Sequence, residues 1–129
     1  MNSAIIGIGS NIEPGANVEA AVELVAGRCR LAARSDLVWT DPIGIADQPR
    51  FLNGAILIET ELALDALKEF LHQVEDSLGR VRGGPRFGPR TIDLDVLVFN
   101  GQVIHPDVAA RPFVRDAVEQ LWRARGGQR

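Results

Sequence analysis

Four strand-like apolar runs, interleaved with two amphipathic helical stripes in the order β-α-β-β-α-β, predict an α+β fold. The expected architecture is a ferredoxin-like α/β sandwich, an antiparallel sheet with helices packed on one face. A chain of 129 residues predicts one domain over 1–129, large enough to bury a proper core. No repeat, low-complexity tract or linker divides it.

Each element has its own signal. "SAIIGIGS" reads as a buried strand, "NIEPG" as a turn, and Val18, Ala21, Val22 and Val25 then recur at helical spacing up to Gly27. "LAARSDLVWT" reads as one second strand, followed by a Pro-, Gly- and Asp-dense loop, "DPIGIADQPR". "FLNGAILIET" is the third strand. Leu64, Leu67, Leu71, Val74 and Leu78 form a helical stripe that stops at Gly79, expected at the position just past the helix end. "RVRGGPRFGPR" reads as a second long loop and "TIDLDVLVF" as the fourth strand. The following Asn-Gly predicts a hairpin that returns as "QVI". "FVRDAVEQLW" closes the chain as a helix, with residues 124–129 expected to be a disordered tail.

Bulk properties narrow the function. Hydrophobic content of 46% with 24% charged residues is ordinary for a soluble globular protein. A net charge of −3 argues against a general binder of nucleic acid or of membrane surfaces. The single cysteine excludes an internal disulfide. There is no basic leader and no run of transmembrane length, so a cytoplasmic location is expected. No signal speaks to oligomeric state.

The chemistry concentrates on the fourth strand. Ile92, Leu94, Val96 and Val98 are expected to make one apolar face, which leaves Asp93 and Asp95 together on the other, about 7 Å apart. Two like charges at that spacing disfavour a strand, and a divalent cation would resolve the conflict, since Mg²⁺ binds through one or two carboxylates plus substrate phosphates. An isolated D-x-D is more often solvated surface charge. Here, however, Arg80, Arg82, Arg86 and Arg90 lie just upstream with no acid between them. Arginine suits bidentate phosphate contacts, and the Gly and Pro breaks let the loop fold over a ligand. Carboxylates for Mg²⁺ beside such a loop match the needs of transfer from a nucleoside triphosphate. On the third strand Phe51 and Asn53 face away from Leu52, Ile56 and Ile58, placing an aromatic ring and an amide where a flat heterocycle could stack and hydrogen-bond.

The pieces "GIGSNI", "DQPRFLNGAILIET", "GRVR" and above all "FGPRTIDLDVLVF" occur in an order that resembles the 6-hydroxymethyl-7,8-dihydropterin pyrophosphokinases of folate biosynthesis, over residues 5 to about 121. The resemblance implies transfer of the β,γ-diphosphoryl group of ATP to the pterin hydroxymethyl with release of AMP, and two Mg²⁺ ions held by Asp93 and Asp95. It implies that Phe51 and Phe113 sandwich the pterin, that Asn53 bonds its edge, and that backbone groups near Thr40 and Ile43 complete the pocket. Arg80, Arg82 and Arg90 would handle the triphosphate, Arg82 and Arg90 as catalytic groups beside the aspartates, with Arg82 and Arg86 on a closing lid. Glu75 matches a position near the nucleotide. His72 stands where many relatives carry Gln, and Phe87 where some carry Trp.

The segment "VIHPDVAARPFV" is several residues shorter than is usual in the family, and the resemblance leads us to expect that the usual C-terminal extension is absent. His105 nevertheless keeps its six-residue spacing to Arg111, so the shortening is expected to remove an outer hairpin and keep both residues at the nucleotide; an exposed turn histidine is the competing reading of His105. Two rivals to an active enzyme remain open on sequence: a catalytically weakened pterin- or nucleotide-binding module, and an interaction domain whose D-x-D is only surface charge.

Overall fold

The computed structural model describes residues 1–42, 47–79 and 92–124. Six strands form an antiparallel sheet: β1 (Asn2–Ser10), β2 (Arg30–Arg34), β3 (Val38–Thr40), β4 (Phe51–Thr60), β5 (Asp93–Phe99) and β6 (Gln102–Val103). Four helices accompany them: α1 (Pro14–Ala26), α2 (Leu64–Ser77), α3 (Asp107–Ala110) and α4 (Pro112–Ala124). The strand order is β2-β4-β1-β5-β6, with β3 continuing the line of β2 along β4. Counting β2 and β3 as one, β1 and the third strand occupy the centre, as the ferredoxin-like class requires.

The expected second strand is broken in two. Arg34 pairs with Ile56 and Val38 with Asn53, so four steps on one strand oppose three on the other. The surplus lies just past Ser35, which still exchanges hydrogen bonds with Ala55: its N–H donates to the Ala55 carbonyl at 2.9 Å, and its Oγ accepts the Ala55 N–H at 2.8 Å. Asp36 and Leu37 together therefore oppose Gly54. Gly54 makes room, because a Cβ there would lie 2.6 Å from Leu37 Cδ2. Glycine inside a strand often marks such a bulge.

Helix signals hold well. Pro14 opens α1, where its missing N–H costs nothing, and Val18, Ala21, Val22 and Val25 are its buried stripe. Beyond α2, Gly79 takes φ +83° and donates to the Asp76 carbonyl at 3.1 Å, the expected left-handed terminator. Asn100 and Gly101 both have positive φ, at 50° and 80°, and β6 folds back on β5 as expected.

Sheet alternation produces two cores. Ala4, Ile6, Ile8, Leu52, Ile56, Ile58, Leu94 and Val96 pack with the stripes of α1 and α2 on one face. Ile5, Ala55, Leu57, Leu97 and Val98 pack on the other face with Val108 of α3 and Val118, Leu121 and Trp122 of α4. The two helices of the split βαβ repeat share one face as expected, and the closing helix covers part of the opposite face as well. Val98 departs from the expected apolar face for a local reason. Ile5 pairs with Val98 but Ile6 with Val96, so Leu97 is an extra residue, and the bulge flips the phase of the strand beyond it.

Candidate functional site

A cleft of about 350 Å³ opens on the face that α4 only partly covers. Its floor is built by two cross-strand rows. Gly9 of β1 lies between Asn53 and Asp93, and Gly7 lies between Ala55 and Asp95. Side chains on the central strand would fill this trench. A Cβ at Gly9 would stand 2.7 Å from Asn53 Oδ1, and one at Gly7 would stand 3.1 Å from Leu97 Cδ1. The glycines of "GIGS" therefore keep the floor low between an amide and two carboxylates.

One wall comes from β3 and β4. Phe51, Asn53, Thr40 and Asp41 line it. Asn53 Nδ2 donates to Thr40 Oγ1 at 2.6 Å, which fixes the amide plane and leaves its Oδ1 over Gly9. The opposite wall comes from the short segment after β6. Asp107, Arg111 and Phe113 line the cleft, and Arg111 Nε lies 3.2 Å from Asp107 Oδ1. His105 Nε2 faces Asp95 Oδ1 at 3.9 Å. His105 is thus half-buried beside Asp95, and Arg111 lines the same cleft as both aspartates.

Asp95 carries the electrostatic tension of the site. Burial pushes its carboxyl up to about 6, the negative charge of Asp93 pushes the same way, and His105 opposes them. Glu75 and Asp107 add further negative charge. Although 41% of the Asp95 side chain remains open to solvent, the carboxylate favours capture of a proton or a cation. The donor set suits a hard ion: two carboxylates on one strand face, with the cleft open in front for further oxygen ligands. Among the described residues no group of three or more His, Cys, Asp or Glu side chains could hold a metal ion.

The structure brings together Thr40, Phe51, Asn53, Asp93, Asp95, Arg111 and Phe113, with His105 at the rim. Glu75 and His72 are placed elsewhere. Glu75 is 2% exposed, and its Oε2 accepts the Leu94 N–H at 2.7 Å. Because β6 reaches only Val98 and Phe99, Glu75 takes the place of a strand partner on the outer edge of β5. It supports the strand that bears the aspartates from the α2 side and does not line the cleft. His72, one turn earlier on α2, is exposed and outside the cleft lining. Ile43, Arg80, Arg82, Arg86, Phe87, Arg90 and residues 125–129 lie outside the described residues. Sequence reasoning missed Asp107, whose i,i+4 spacing to Arg111 was the available signal. It read "GIGS" as the end of a buried strand and a piece of the family resemblance, without the floor that its glycines make.

The model of the 7,8-dihydro-6-hydroxymethylpterin-pyrophosphokinase (HPPK) family matches residues 5–123. The chain belongs to this family. It is similar to the 2-amino-4-hydroxy-6-hydroxymethyldihydropteridine pyrophosphokinase of Pseudomonas aeruginosa, 41% identical over 120 residues, covering 84% of this chain and 74% of the relative. The enzyme of the same name from Methylorubrum extorquens is 42% identical over 121 residues, covering 90% of this chain and 76% of the relative. That of Bacillus subtilis is 40% identical over 124 residues, covering 88% and 74%. The family thus coincides with the one that the strand motif of "GPRTIDLD" resembles, and the paired aspartates of that motif line the cleft. Among the described residues no helix is long and apolar enough to cross a membrane.

Proposed function

We propose that the cleft transfers the β,γ-diphosphoryl group of ATP to the hydroxymethyl oxygen of 6-hydroxymethyl-7,8-dihydropterin and releases AMP, the reaction of an ATP-dependent folate-biosynthesis enzyme. The observation that carries this reading is the placement of two carboxylates and an arginine around a glycine floor that ends in an aromatic and amide wall.

The pterin lies on the β4 side. Phe51 and Phe113 flank its ring, Asn53 bonds its edge from an amide already oriented by Thr40, and backbone near Thr40 and Ile43 completes the pocket. The nucleotide enters from the β5 side, where Arg111 and His105 address its phosphates. Arg80, Arg82, Arg86 and Arg90 join them from the basic loop that immediately precedes β5 in sequence, with Arg82 and Arg90 acting on the transferring group. Asp93 and Asp95 hold two Mg²⁺ ions. Bound there, the metal supplies neutralisation of charge on the transferring group. The residues themselves position the two substrates and hold the phosphates in line, which is most of what such a transfer demands. Glu75 acts through β5, and His72 acts at the nucleotide only with the loop that follows α2. This reading involves no nucleic acid or membrane partner and goes with a cytoplasmic location.

An AMP-release assay with both substrates tests the proposal. Magnesium-dependent AMP formation that requires the pterin is the expected result. Saturable binding of nucleotide and pterin without AMP release would instead establish a binding module with the same fold.

A further inference from the structure

We infer that Asp107 is a positioning residue that sets the two phosphate-directed side chains on this wall of the cleft. The inference rests on the nucleotide reading of His105 and Arg111 and extends it to the residue between them. Asp107 begins α3, a single turn of four residues, Asp107–Ala110, too short to be stable through its own hydrogen bonds. Val108 anchors the turn by burying its side chain against α4 and the sheet. On that anchored turn Asp107 engages both residues: its carboxylate lies beside Arg111 and, through Oδ2, 3.8 Å from His105 Nδ1, and its N–H bonds that same nitrogen.

Its carboxylate points along the turn to Arg111. Oδ1 lies 3.2 Å from Nε, the i,i+4 neighbour. Engaging the guanidinium through Nε leaves the two terminal Nη groups, the fork that suits a phosphate, directed into the cleft that Arg111 lines. Both side chains are half-buried, at 26% for Arg111 and 31% for Asp107, so the pair is less screened than a surface ion pair. Without its carboxylate partner the long arginine side chain would sample many rotamers, and ligand binding would have to order it.

The backbone of Asp107 addresses the histidine. Its N–H donates to His105 Nδ1 at 3.1 Å. A ring nitrogen that accepts a hydrogen bond carries no proton, so in neutral imidazole the proton sits on Nε2, the nitrogen that faces the cleft and Asp95. His105 is thereby presented as a donor, the form that a phosphate oxygen can use. One residue fixes the arginine through its side chain and the histidine through its main chain.

A side-chain change leaves the N–H to His105 in place and removes the carboxylate from both Arg111 and His105 Nδ1, the closer of the two contacts being that to Arg111. Asp107→Ala should weaken binding of a non-hydrolysable ATP analogue roughly 3- to 10-fold, the range for loss of one hydrogen bond, with pterin affinity unchanged. Asp107→Asn keeps an oxygen acceptor for Nε–H and should recover most of the loss. In an Arg111→Ala background, Asp107→Ala should cost much less than it does alone, the remainder of the effect coming from the longer contact with His105. Calorimetric titration of analogue and pterin into the four variants and the unaltered protein, with thermal melts alongside, reads all of these. If Arg111→Ala weakens the analogue but Asp107→Ala does not, or if Asp107→Ala tightens it by removing negative charge, the positioning role is overturned. Equal losses for analogue and pterin in Asp107→Asn, a variant that keeps the contact, would overturn it too by showing a general structural effect. An Arg111→Ala protein with unaltered analogue affinity would remove the nucleotide reading of Arg111 itself, and the inference with it.

Discussion

Beneath α1 and α2, strands β1, β4 and β5 present Ala4, Ile6, Ile8, Ile56, Ile58 and Leu94, all nearly inaccessible to solvent. On the reverse side the same strands present Gly7, Gly9, Asn53, Asp93 and Asp95. Only the far half of that side, over Ile5, Leu57 and Leu97, is sealed by α4. Period-two alternation lets one stretch of chain serve both purposes. Even positions of β1 fill volume, while Gly7 and Gly9 on the other face leave it empty. The first face stabilises the fold without assistance, and the second can then carry groups that oppose folding: a flat glycine floor, and two like charges two residues apart.

If this division holds, damage to the two faces should differ in kind. Leu71→Ala on α2 empties a site that is 1% exposed and should cost about 2–5 kcal/mol of stability, seen as a lowered midpoint in urea or heat. Any activity that survives should keep its Michaelis constants. Asp95→Ala on the other face should do the reverse. Turnover should fall roughly 10²–10³-fold, the scale for removing one electrostatic stabiliser of a transition state, with stability unchanged or slightly higher because a repulsion with Asp93 is gone. A large loss of stability in Asp95→Ala would break the comparison.

Gly9→Ala sharpens it. The added methyl meets only the Oδ1 of Asn53, the end of a side chain that can swing aside, so stability should change by less than about 1 kcal/mol. Pterin affinity should nevertheless drop about tenfold, since the amide loses the orientation that Thr40 gives it. Calorimetry with pterin alone measures this without any need for turnover.

The smallest effect is one of pH. Asp95 is held at about 6 in the metal-free protein against an ordinary 3.8, so between those values the folded state binds more protons than the unfolded one. Stability should therefore fall as pH rises from about 4 to about 6 and level off above that, the opposite of a salt-bridged carboxylate. Asp95→Asn should flatten the slope in a series of denaturant melts, and Mg²⁺ should offset it by favouring the ionised form. A slope of the other sign would mean that the Asp95 environment stabilises the charge.

Most of this architecture could be read in the sequence because the strands and helices carry clean periods. The stripe Val18, Ala21, Val22 and Val25, the terminator Gly79 and the Asn100–Gly101 turn all behaved as local chemistry dictates. Where the reading failed, one residue broke a period. The Asp36–Leu37 stretch and Leu97 each add a single position to one strand of a pair, and alternation alone gives no warning of that. Gly54 was the readable hint for the first, whereas the second had none, since Leu97 is as apolar as its neighbours. In the site, Asp93, Asp95, Phe51 and Asn53 announced themselves by sitting on the wrong-looking face of apolar strands. Asp107 did not, because a lone acid in a short polar segment resembles ordinary surface. Glu75 came only from the family resemblance; its buried carboxylate accepts the Leu94 N–H, outside the cleft lining.

The extra residue at Leu97 also divides β5 into two segments that can vary separately. Ahead of it, the register of Asp93 and Asp95 is set by pairing with Gly9 and Gly7. Past it, the hairpin is tied to the start of β1 by Asn100, whose N–H donates to the Ser3 carbonyl at 2.7 Å and whose Oδ1 accepts the Ser3 N–H at 2.8 Å. A change of length after Asn100 is stopped at that clamp and cannot slide the carboxylates along the sheet. Such insulation gives the segment after the turn freedom to be trimmed over generations while the chemistry a few residues upstream stays in register.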